Sequence, residues 1–209
     1  MLLAATFSAA MLAWWIWHDG GRKLWLAVFY ALLGAGALAK GPVAPALAVL
    51  IVGGYAALRR DAEIFFRSLW LPGFAIFAAV VLPWFIAVQI KVPEFFRVFF
   101  LEHNLQRFGT NLYQHAQPFW YYIPVFVLGT LPWTVFTLLA LWDAIRRGTL
   151  RARGRAEGDQ EDWLTLFLLI WVLVPILFFS ISRSKLPGYI LPAIPAAALL
   201  TAIDLQRAQ

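Results

Sequence analysis

Residues 91–122, KVPEFFRVFFLEHNLQRFGTNLYQHAQPFWYY, are a polar interruption in a sequence that is otherwise almost continuously apolar. Four ionisable side chains, Glu102, His103, Arg107 and His115, lie close together between blocks of Phe, Trp and Tyr. A helix over residues 94–108 would place Phe96, Phe100, His103 and Arg107 on one stripe, because they follow each other at i, i+4, i+7 and i+11. The stripe begins apolar and ends polar. That pattern suits a helix lying in the membrane surface, with its polar end turned to a water-filled site. A solvated helix that merely anchors its loop has the same composition, so the choice rests on the rest of the chain.

The 209 residues are 62% hydrophobic and only 13% charged, and the charges are clustered. Long uncharged runs without strand-like alternation indicate an all-α polytopic membrane protein rather than a transmembrane barrel. Cysteine is absent, which excludes disulfides and thiolate metal sites; any metal would be held by His and carboxylate. The net charge of +6 would suit nucleic acid. Its distribution follows membrane topology instead, and a nucleic-acid partner is rejected.

The apolar runs predict about seven spans, at residues 1–17, 24–39, 42–58, 69–90, 118–142, 163–181 and 189–203. Residues 1–209 then form part of one transmembrane domain. Eleven of the seventeen basic residues fall on one side: Arg22, Lys23, Arg59, Arg60, Arg67, Arg146, Arg147, Arg151, Arg153, Arg155 and Arg207. The positive-inside rule makes that side cytoplasmic. Residues 143–162 are then a polar cytoplasmic loop of flexible composition, and residues 91–117 an external loop with its amphipathic helix. The first span lacks a basic leading segment and a cleavage site, so it does not read as a signal peptide. Met1 would lie outside and Gln209 just past the last span, which reads as a piece of something larger.

Lys40, Lys91, Arg97, Arg107, Arg183 and Lys185 are left on the outside, where the only acids are Glu94 and Glu102. One such lysine at a helix end is explained by snorkelling to headgroups. Six of them are better explained by an anionic ligand, and an external cavity holding phosphate is the first functional inference. Among the aromatics, Trp14, Trp15, Trp17, Trp70, Trp84, Trp133, Trp142 and Trp163 lie near span ends, where indole rings are enriched. Trp120, Tyr121 and Tyr122 fit either interfacial anchoring or a sugar or lipid wall.

Three clusters share the external side: AKGPVAP (39–45), LEHNLQRF (101–108) with QPFWYYIPV and LPW after it, and SRSKLPGYILPAIP (182–195). On these residues the sequence resembles the bacterial 4-amino-4-deoxy-L-arabinose transferase-like glycosyltransferases, relatives of the protein O-mannosyltransferases with the membrane-embedded GT-C fold. The resemblance covers essentially the whole chain. It is strongest at EHN-x-x-RF (102–108) with H-x-x-P-F-W-Y-Y (115–122), and at S-x-x-K-L-P-x-Y-x-L-P (182–192). It implies a partial GT-C helix bundle in the bacterial inner membrane. It also implies transfer of a sugar from a polyprenyl-phosphate donor to lipid A, or to another lipid or protein acceptor, at the outer face.

By the same resemblance Lys40 and Arg107 face the donor phosphate, Lys185 joins them in a less defined role, and His103 helps hold a divalent metal, zinc or similar. Tyr189 and Tyr121 would line the cavity. Glu102 is a further candidate there, although a pairing with Arg97 or a turn cap explains it as well. The family's catalytic Asp and a metal-binding Glu lie on a first external loop. No external acid precedes Lys40 here, so no catalytic base is assigned and the chain alone is expected to be inactive. A lipid-phosphate transporter or flippase would also want external cations and broken helices, but no internal repeat is evident. A non-catalytic membrane subunit leaves the cations unexplained.

The orientation is directly testable, since introduced cysteines would be unique. Cysteines at Thr149 and Thr110 are expected to label from opposite sides of intact cells. Labelling from one side would abolish the shared external cavity.

Overall fold

The computed structural model describes residues 1–92, 117–152, 160–182 and 185–207, without the side chains of 149–152. All regular structure among them is helical: α1 Leu2–Gly20, α2 Lys23–Lys40, α3 Val43–Arg59, α4 Ala62–Ser68, α5 Leu71–Lys91, α6 Tyr122–Gly129, α7 Thr134–Ala152, α8 Gln160–Ile181 and α9 Ile194–Arg207. Short 3-10 turns, Phe119–Tyr121 and Pro187–Ala193, lead into α6 and α9. The expected external amphipathic helix lies outside the described residues.

The sequence explains where these helices stop. α1 ends at Gly21 (φ 68), whose N–H returns to the Trp17 carbonyl. α4, not foreseen in the sequence, is capped by the Asp61 carboxylate, which accepts from the Glu63 N–H at 3.1 Å. α5 has a proline in its first turn and runs unbroken through Pro83. α7 and α8 extend into residues 143–162 from both sides.

The core is built around α8. Its residues 166–172 are all buried, Phe167, Trp171 and Val172 completely. A helix that is apolar on every face belongs inside a bundle, and α3, α7, α9 and the 3-10 turn before α9 pack on this one, with α1 reaching it through aromatic side chains. Trp14 of α1 stacks on Phe167 at 5.2 Å, and Phe7 meets Trp171 edge-on at 6.3 Å. α5 is the opposite case: only Gly73 and Phe85 are buried, so most of an equally apolar helix faces outward.

Among the described residues, four helical stretches are long and apolar enough to cross a bilayer: Lys23–Lys40, Leu71–Lys91, Gln160–Ile181 and Pro187–Arg207. The chain is therefore a multi-pass membrane protein. Val43–Arg59 and Phe119–Gly129 are apolar but shorter. The expected count of seven is not confirmed by these lengths. The span read at 118–142 is interrupted between α6 and α7, where Pro132 cannot donate to the helical ladder. Hydroxyl groups occupy the break. Thr130 Oγ1 donates to the Phe126 carbonyl at 3.0 Å, and Thr134 Oγ1 to that of Val127 at 2.8 Å.

The seam between α2 and α5 depends on Gly73. A Cβ there would stand 2.2 Å from the Tyr30 ring. That ring is fixed at its far end, because Tyr30 OH donates to the Ser68 carbonyl at 2.7 Å. Gly73→Ala is expected to cost about 1–3 kcal/mol through this overpacking. The measurement is thermal unfolding in detergent, with Gly20→Ala, which meets nothing within 4 Å, as the control.

Candidate functional site

Helices α2 and α3 form a hairpin whose turn positions the first cation. Gly41 takes φ 69 and ψ −150, a backbone conformation that favours glycine, and its N–H returns to the Ala37 carbonyl at 2.7 Å. Pro42 follows at once and ends any continuation of α2. Lys40 is thereby held at the helix end. Its Nζ lies over the Tyr189 ring, 3.7 Å from the centroid.

Tyr189 reaches this place from the 3-10 turn before α9. Its N–H donates to the Leu186 carbonyl at 3.1 Å, and its ring meets Phe179 at 5.1 Å. The Leu186 carbonyl also accepts the Tyr122 hydroxyl at 3.3 Å. One residue earlier, Lys185 is 5% exposed and donates to the carbonyls of Gln117 at 3.1 Å and Ser182 at 2.6 Å. Burial lowers the pKa of its ammonium. A continuous chain of contacts thus runs from Lys40 through Tyr189 and Leu186 to Lys185, Gln117 and Tyr122.

Of the residues expected at the site, Lys40 and Tyr189 touch, and Lys185 precedes the turn that carries Tyr189 and bonds Gln117 and Ser182 instead. Tyr121 is half-buried and packs edge-on against Tyr122 at 5.2 Å. His103, Arg107 and Glu102 lie outside the described residues, as does His115. Tyr122, read only as a wall or anchor residue, is fully buried and ties α6 to the α8–α9 junction. Its sequence signal was its place in the FWYY run directly after the polar interruption. The carbonyls of Gln117 and Ser182 had none, because backbone acceptors leave no mark on a sequence.

The other end of the bundle has a different chemistry. Arg147 pairs with Asp143 and, at 3.8 Å, with Asp162. Arg207 pairs with Glu161 and, at 3.5 Å, with Asp162. Gln160 bonds Asp19, and the Arg59 guanidinium lies 4.3 Å from the Trp163 ring centroid. These residues belong to the side read as basic-rich. The helices therefore carry one set of polar contacts at each end, with Lys40, Gln117, Lys185 and Tyr189 at the end opposite the arginines.

No protein-family model matches the chain. Curated relatives do. The chain is 38% identical over 206 residues to an undecaprenyl phosphate-alpha-4-amino-4-deoxy-L-arabinose arabinosyl transferase of Aeromonas hydrophila, covering 94% of this chain and 35% of that protein. The relative of that name from Enterobacter sp. is 38% identical over 201 residues, with 93% of this chain and 34% of the relative covered. Among solved structures, ArnT from Cupriavidus metallidurans bound to undecaprenyl phosphate superposes with a TM-score of 0.85 at 30% identity, over 98% of this chain and 36% of that one. The apo form of that protein gives 0.81. The chain is a homologue of these transferases, has the fold of the corresponding part of ArnT, and spans about a third of their length.

Proposed function

We propose that this chain is the donor-phosphate-holding part of a membrane glycosyltransferase, which moves a sugar from a polyprenyl phosphate to lipid A or another acceptor at the outer face of the bacterial inner membrane. The observation that carries the reading is the meeting of Lys40 with Tyr189 at 3.7 Å, from motifs far apart in sequence. Homology to arabinosyl transferases, and likeness to a structure that holds undecaprenyl phosphate, supply the donor class.

The chemistry follows from where charge develops. When the sugar leaves a lipid phosphate, negative charge grows on the departing phosphate oxygens. Fixed cations in a partly dehydrated cavity stabilise that charge more than they would in water. Lys40 supplies a compact point charge on one side. Arg107 supplies a planar fork that two phosphate oxygens can share. Tyr189 aims the Lys40 ammonium, and Tyr121 contributes to the wall. Glu102 is a further wall residue in this reading.

His103 is assigned as one ligand of a divalent cation, which would add positive charge at the same phosphate. Among the described residues no three His, Asp or Glu side chains gather to hold one. The base that accepts the acceptor's proton is assigned to other parts of the protein.

The test uses the full-length protein in liposomes, with an undecaprenyl-phosphate-linked sugar and lipid A. Lys40→Met and Arg107→Ala are each expected to lower turnover about a hundredfold, through lost stabilisation of the leaving phosphate. The 209-residue chain alone is expected to bind undecaprenyl phosphate without transferring sugar. Equal turnover by the chain alone would overturn this division of labour and make Glu102 the base. Unchanged turnover in both variants would remove the phosphate site.

A further inference from the structure

We propose that Lys185 is a positioning residue: its ammonium fastens Gln117, where the chain returns from residues 93–116, to the junction of α8 and α9. This rests on the donor-phosphate reading above and replaces the expectation that Lys185 itself contacts the phosphate.

The geometry points to a clip. The side chain is almost wholly buried, and two of its three N–H groups end on the carbonyls of Gln117 and Ser182, at 3.1 and 2.6 Å. Both acceptors lie where helical structure is interrupted. Ser182 directly follows α8, and Gln117 precedes the turn that opens α6. The Ser182 carbonyl belongs to a buried residue at the end of α8, and the Gln117 carbonyl to an exposed residue just ahead of α6, so the ammonium spans from the interior to the surface. A flexible stem ending in several donors can serve two carbonyls at once, and a charged donor binds each more tightly than a neutral one.

A second fastening runs parallel to the first. Tyr122 OH donates to the Leu186 carbonyl at 3.3 Å, so residues 117–122 are tied to 182–186 at two points. Tyr189 and the Lys40 ammonium above it stand directly on that junction. The clip therefore sets where Gln117, the residue that follows 93–116 in the chain, sits relative to Lys40.

A clip needs donors, whereas a phosphate contact needs charge, and substitutions separate the two. Lys185→Met keeps the stem and removes every donor. Lys185→Gln keeps a donor and removes the charge. The full-length protein in nanodiscs would be followed by hydrogen exchange over residues 119–122 and 187–190, which include the Tyr121 and Tyr189 amides bonded at 3.1 Å to Pro118 and Leu186. Undecaprenyl phosphate is the binding probe.

In Lys185→Met, exchange in both segments is expected to rise about tenfold and affinity to fall by a similar factor. In Lys185→Gln, exchange stays slow and affinity remains within about threefold of the parent. Exchange unchanged in Lys185→Met would overturn the clip. So would affinity lost equally in both variants while only Lys185→Met exchanges faster, since the ammonium would then be touching phosphate. If the parent fails to bind undecaprenyl phosphate, the donor reading falls, and the exchange result alone decides the clip.

Discussion

A bilayer offers no water to an unpaired peptide group, so each interruption of a spanning helix must be matched from within the protein. This one constraint accounts for much of the polar structure described here. Buried groups at the edge of the bundle are matched in the same way: where α4 ends, the Ser68 carbonyl takes the Tyr30 hydroxyl and the Ser68 side chain takes the Trp14 indole N–H at 2.9 Å. Between α6 and α7, Thr130 and Thr134 serve the last carbonyls of α6. Trp171, buried in α8, donates to the Pro192 carbonyl at 2.9 Å in the turn before α9. Lys185 and Tyr122 do the same at the site. The polar side chains of the bundle interior largely act on backbone rather than on each other.

The constraint also explains why the two ends of the bundle differ. At the basic-rich end the helices emerge with arginines and acids together, and partly exposed pairs such as Arg147 with Asp143 each contribute modestly. At the other end, Lys40 meets an aromatic ring and Lys185 meets peptide carbonyls. Rings and carbonyls orient an ammonium, and the proposed anionic donor would meet Lys40 at this end.

The sequence was most informative where structure follows composition. The predicted boundaries 24–39, 42–58, 69–90 and 163–181 fall within a few residues of α2, α3, α5 and α8, because apolar runs and Gly or Pro punctuation determine both. The KGP turn and the KLP segment were legible as motifs, and the contact of Lys40 with Tyr189 joins them. Periodicity could not reveal α4, a seven-residue helix stabilised by one cap, or the break after α6, which hydroxyl groups bridge locally. Trp14 was grouped with interfacial tryptophans by its place near a span end, yet it is fully buried and bonded to Ser68. Indole position along a span says little about which neighbour covers it. Lys185 was legible as a cation but not as a donor to carbonyls, since its partners are set by tertiary approach. His103, Arg107 and Glu102 fall outside the described residues, so the sequence remains their only source.

The break between α6 and α7 has a mechanical consequence. An unbroken helix transmits displacement along its axis because its hydrogen-bond ladder is continuous. Here the ladder stops before Thr134, so a push on residues 117–121 has no stiff rod leading to Asp143 and Arg147 at the far end. Its load path is sideways, through Lys185 and Tyr122 into Leu186, then to Tyr189 and the Lys40 ammonium resting on it. A push arriving at Gln117 is thus delivered to Lys40, the proposed phosphate ligand, rather than along α7 to the arginine end of the bundle.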